Sequence, residues 1–171
     1  MRFEFRLSKF DPAKRDLTGA FRGQDWVSYS QIGSEIGGRV LTKDEYELVE
    51  DAYVETIRKM LHEAGLQQVG IERFRRFGKP ARDLKAFRKG QKVDLDTLSR
   101  LTRLTLQDRV EVGFSVPRKM YLHFGFDFLV YIGLAKPTPA AMAFASENGI
   151  FLEEMASPYR ERSAPRQRKI A

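Results

Sequence analysis

With no cysteine and two histidines, few side chains in this 171-residue sequence could carry covalent or acid–base chemistry. His123 stands out. It lies in the segment MYLHFGFDFLVYIGL, residues 120–134, four positions before Asp127. If the chain reverses near Gly125, the two side chains approach, and a carboxylate can orient an imidazole as a general base. Tyr121, Tyr131 and nearby arginines would complete a small metal-independent hydrolase or nuclease. If the segment is one long strand bent by a bulge, residues four apart share a face but stand ~13 Å apart and do not touch. The sequence leaves both conformations open. No second histidine, thiol or acidic cluster backs the pair, so His123 and Asp127 are catalytic candidates without a supporting constellation. His62 ends an acidic helix, where an imidazolium would suit the negative end of the dipole, and reads as structural or solvent-facing.

Other motifs carry less. Residues 33–40, GSEIGGRV, imitate a phosphate-binding loop in their glycine spacing. Arg39 stands where the lysine is needed and Val40 where a hydroxyl would hold magnesium, so the glycines read as a turn and helix cap. Asp94 with Asp96, and Glu153 with Glu154, lack further ligands at metal spacing, so no metal and no cofactor is expected. A nucleophile elbow of the G-x-S-x-G type is absent.

Charge is the most uneven feature. The net charge of +7 conceals a strip, residues 73–92, with nine Lys and Arg against Asp83 alone. Arg73, Arg75, Arg76, Lys79, Arg82, Lys85, Arg88 and Lys89 are interleaved there with Phe74, Phe77 and Phe87. Residues 43–63 are acidic, with seven Asp and Glu against three Lys and Arg. Two accounts follow. The strip folds back on the acidic helix or solvates a loop, or it docks an anionic macromolecule, with Phe77 and the arginines offering planar surfaces beside phosphate-binding charges. No recognised nucleic-acid-binding motif appears. An acidic protein would suit the strip equally, the chain then being of the kind of a toxin-neutralising immunity protein charge-matched to its target.

The elements that position these groups follow from periodicity. Residues 2–7 alternate Phe3, Phe5 and Leu7 with Arg2, Glu4 and Arg6, as a half-buried strand does. Residues 8–24 read as a loop. Ser30 could cap a short helix ending at Gly37-Gly38. Thr42 with Glu45 forms a capping box for the clearest helix, whose stripe is Tyr46, Val49, Tyr53, Ile57, Met60 and Ala64, with Gly65 as its C-terminal cap. A strand over 68–74 follows. Asp94 or Asp96 caps a helix bearing Leu95, Leu98, Leu101 and Leu104. A strand over 110–116 turns at residues 117–119 into the 120–134 segment. Thr138 and Pro139 open a third helix ended by Gly149, and 150–155 is a last strand. The expected core is Phe3, Phe5, Tyr46, Val49, Tyr53, Ile57, Leu98, Leu101, Leu122, Phe124, Phe128, Val130 and Ile132.

This pattern predicts a single two-layer α+β domain, residues 1–155, with a mostly antiparallel sheet and about three helices on one face. Residues 156–171 have two prolines and five basic side chains and little to bury, and are expected to be a disordered basic tail. At 42% apolar composition the domain needs no staple. No apolar leader core and no run of ~20 apolar residues is present, so the expectation is a cytoplasmic protein that does not engage a membrane. The functional expectation is a small non-catalytic protein binding an anionic partner, with the His123–Asp127 hydrolase as the alternative.

Overall fold

The computed structural model describes residues 1–18, 20–78 and 82–160, leaving aside the side chains of residues 82 and 83. Strand β1, Phe3–Ser8, begins the chain. Two short strands, β2 (Glu35–Ile36) and β3 (Arg39–Val40), form a separate hairpin. Helix α1, Lys43–Glu63, follows, then β4 (Gln68–Arg76) and β5 (Lys92–Asp94). Helix α2 spans Leu95–Leu106, followed by β6 (Val110–Val116), β7 (Met120–Phe124) and β8 (Val130–Leu134). Helix α3, Pro139–Glu147, and β9, Phe151–Glu154, complete the fold.

The seven strands outside the hairpin make one antiparallel sheet in the order β5-β4-β6-β7-β8-β1-β9, so the first strand lies between the last two. All three helices feed a single apolar core against one face of that sheet. The α+β architecture with an antiparallel sheet and three helices is therefore as the periodicity predicts. The expected core residues are buried, with Phe3 and Val49 half-buried against them. Residues 120–134 form a hairpin: β7 and β8 pair from Met120–Leu134 to Phe124–Val130, and Gly125 N–H closes the loop on Leu129 O at 2.8 Å. Asp127 and Phe128 adopt positive φ there, +54° and +59°.

Two caps form otherwise than expected. Thr42 Oγ1 accepts the Glu45 N–H at 3.2 Å, but the Glu45 carboxylate turns to Arg39 at 2.6 Å, so only half of the capping box is made. Thr138 makes no side-chain cap for α3. The Glu63 carboxylate, from α1, accepts the Ala140 and Ala141 N–H groups at 3.2 and 2.9 Å. The short helix expected from Ser30 is a correction. Ser28 caps one 3-10 turn, Tyr29–Gln31, and Gly37-Gly38 then turn the β2–β3 hairpin with φ of +60° and +82°. Two consecutive positive-φ residues suit a tight hairpin turn of matching twist, and glycine adopts them without strain.

The loop after β1 is anchored by Lys9. Its ammonium contacts Asp25 at 2.8 Å and lies 3.9 Å from the Trp26 ring centroid. Burial lowers its pKa, and the Asp25 carboxylate opposes that shift. Trp26 in turn packs among Tyr46 and Phe128.

Candidate functional site

Alternation on β7 sends Met120, Leu122 and Phe124 into the core and Tyr121 and His123 to the face of the sheet away from the helices. Residues 156–160, which the sequence assigns to the tail, pack across that face. Met155 N–H bonds Glu4 O at 3.0 Å, and the chain then places Ser157, Tyr159 and Arg160 over Tyr121, His123 and Tyr131. Ser157, Tyr159 and Arg160 find partners that the composition of the segment does not reveal. Residues 161–171 lie outside the described residues.

Only 3% of His123 is exposed. Its Nε2 is 3.4 Å from the Glu72 carboxylate and its Nδ1 2.8 Å from Ser157 Oγ. In the tautomer with its proton on Nε2, the ring donates to the Glu72 carboxylate. Nδ1 in that tautomer accepts from the Ser157 hydroxyl, and the Ser157 oxygen accepts the Tyr159 N–H at 3.2 Å. Glu72 reaches the ring because β4 bulges there: Ile71 pairs with Phe114 and Arg73 with Gly113, leaving Glu72 as the extra residue. Tyr121 stacks on His123 at 4.9 Å, donates to Glu4 at 3.0 Å and accepts the Ser157 N–H at 3.2 Å. Burial, together with the Glu4 carboxylate, raises the Tyr121 pKa, against the opposing effect of the Ser157 N–H. Arg160 pairs with the same Glu4 and lies over the Tyr121 ring.

Serine, histidine and carboxylate stand here in the order of a nucleophile relay, and Glu72 and His123 border a shallow cavity of about 220 Å³ together with Tyr121 and Arg160. Ser157 is 5% exposed, and the polar atoms that link Glu72, His123, Ser157 and Tyr159 are turned to one another. A general base must reach a substrate proton within ~3 Å or through one water. Asp127 is not part of the group. It sits exposed in the 125–129 loop, and the hairpin expected to bring it to His123 instead points the two apart: His123 pairs with Tyr131 across β8. Glu72, Ser157 and Tyr159 left no sequence signal as His123 partners; they lie far away in the chain.

The basic strip occupies the β4 edge and the return to β5. Arg73 pairs with Glu111 at 3.0 Å, which takes the carboxylate directly across from Arg75. Arg75 extends over the Phe77 ring, 5.5 Å from its centroid, and Phe77 N–H bonds Arg109 O at 3.1 Å. Phe77 is 43% exposed, whereas Phe74 and Phe87 pack together against the core. Arg76 donates to Leu84 O at 3.4 Å. Lys85, Arg88 and Lys89 are exposed. Lys79 and the side chain of Arg82 lie outside the described residues. The acidic helix has other partners: Glu45 meets Arg39, Glu47 meets Lys43, Glu50 and Asp51 meet Arg103, and Glu63 caps α3. Among the described residues, Arg75, Arg76, Lys85, Arg88 and Lys89 make no ion pair.

A cleft of about 650 Å³ opens where α1, α2 and α3 meet. Its charged groups are largely satisfied within it: Arg58 meets Asp96 at 2.5 Å, Lys59 lies 4.7 Å from the Phe144 ring centroid, and Glu63 caps α3. No helix among the described residues is long and apolar enough to cross a membrane. Comparison with protein-family models, with curated proteins and with solved structures finds no match to this chain.

Proposed function

We propose that this chain is a small non-catalytic binding protein that engages an anionic macromolecule through the strip at the β4 edge. One observation carries the reading: five of the seven carboxylates of α1 are engaged elsewhere, and five strip cations have no ion pair among the described residues. Exposed like charges repel one another and gain from a partner of opposite sign, which they also steer towards themselves. Strand β4 and its contacts hold part of the strip in place, which lowers the ordering cost of binding. The inward-turned His123 network disfavours the hydrolase alternative.

The test is titration of two labelled polyanions, a 12-nucleotide oligothymidylate and a 12-residue polyglutamate, at low salt. Wild-type protein is expected to bind at least one. Arg75→Glu/Arg88→Glu/Lys89→Glu should remove that binding without lowering the melting temperature, and His123→Ala should leave it unchanged. Retained affinity in the triple variant, or binding of neither polymer by the wild type, would refute the proposal.

A further inference from the structure

The geometry points to single-stranded nucleic acid as the anionic partner, with Phe77 as the surface on which a base stacks; this rests on the reading of the strip given above. Phe77 is a large apolar ring left 43% exposed at the end of β4. Packing does not require that exposure, since Phe74 and Phe87 in the same strip are both turned inward. Its backbone is tied to the start of β6 through Arg109 O, so the ring stands on the sheet and not on a free loop. Gly78, the next residue, has no side chain to cover it, and the Arg75 guanidinium lies over the ring. Arginine planes and aromatic rings are the surfaces on which unpaired bases stack, while nearby cations hold the phosphates. Arg76 and Arg109 are exposed on the same strand ends, and Lys85, Arg88 and Lys89 on the return segment. An acidic protein surface would use the cations but has no need of an exposed ring capped by guanidinium.

Phe126 supplies an internal comparison. It is more exposed still, at 84%, and lies in the β7–β8 loop at the same end of the sheet. It shares a cleft with the carboxylates of Asp108 and Asp127. A phosphate backbone is repelled there, so ring exposure alone does not make a platform.

Fluorescence anisotropy with labelled 12-nucleotide oligothymidylate, competed by polyglutamate and by a 12-base-pair duplex, tests the assignment on the full chain. The expected result is preferential binding of the single strand. Phe77→Ala should weaken it about tenfold, the scale of one base stack, with no change in the salt dependence. Phe77→Trp should restore it, and Phe126→Ala should change it less than about twofold. Removing Arg88 and Lys89 should instead flatten the plot of log affinity against log salt by roughly 0.7 for each phosphate no longer neutralised. Equal competition by polyglutamate or by duplex, or indifference to Phe77→Ala, overturns the nucleic-acid assignment. If the charge-reversed triple variant still loses polyglutamate in that case, the anionic-partner reading survives without it. Binding of neither polymer ends both.

Discussion

At the scale of single residues, Tyr121 and Gly133 are the most tightly matched pair. They face each other across β7 and β8, and the Tyr121 ring lies flat on Gly133. A Cβ at position 133 would stand 2.2 Å from a ring carbon, with two further ring atoms within 2.8 Å. The ring cannot swing away without breaking its bonds to Glu4 and Ser157. Gly133→Ala is therefore expected to cost ~1–3 kcal/mol, as overpacking does, and less when Tyr121→Ala is also present, because contacting sites are not additive. Equal costs in both backgrounds, from urea unfolding, would contradict this. Tyr53 tests the core similarly. It is fully buried and donates to Phe128 O at 2.7 Å. Tyr53→Ala should lose ~3–5 kcal/mol, and Tyr53→Phe only the ~1–2 kcal/mol of the bond and its stranded acceptor.

At the scale of elements, each helix start is solved differently: a threonine on α1, an aspartate on α2, and for α3 a carboxylate borrowed from α1. The cap on α2 has a pH signature. Asp94 Oδ1 accepts the Thr97 N–H at 2.8 Å, and bonding to Thr97 holds the Asp94 pKa below its ordinary value. A carboxyl whose pKa is depressed on folding stabilises the native state above its unfolded pKa of about 3.9, and loses that contribution as pH falls through the folded value. Asparagine caps as well but does not titrate. Wild type should thus gain on Asp94→Asn above about pH 5, and the gain should shrink below about pH 4. Melting temperatures of the two proteins from pH 2.5 to 6 give the comparison, and a pH-independent gap would reject the assignment.

At the scale of the molecule, the sheet has two unlike faces. One carries the helices, and the other is crossed by residues 156–160, which shield Tyr121, His123 and Tyr131. Deleting 161–171 removes four basic side chains and leaves the bonds of residues 156–160 in place, so thermal stability should hold. Any loss of polyanion affinity should be modest and fade with salt, which screens exposed charges. Deleting 156–171 also removes Ser157, Tyr159 and Arg160. It should cost ~1–3 kcal/mol, as breaking a buried hydrogen-bond network does, and hasten amide exchange along β7. Equal melting of the two truncations would mean that the segment rests on the sheet without holding it.

What could be foreseen from sequence was local. Alternation over residues 2–7, the apolar stripe of α1 with Thr42 before it and Gly65 after it, and the Pro139 start of α3 each follow from backbone geometry within a few residues, and each element formed there. The aromatic, charge-interleaved strip was equally plain. Tertiary structure alone decided that β1 lies between β8 and β9, that residues 120–134 turn back on themselves, and that Gly37-Gly38 make a hairpin and not a helix end. It also replaced Asp127, four residues from His123, by Glu72 and Ser157, which are 51 and 34 residues away. The reason is one of range. Caps and periodicity are settled by neighbours in the chain, whereas strand order, bulges and the partners of a buried imidazole depend on which distant segments close against each other, and no short window of residues contains that information.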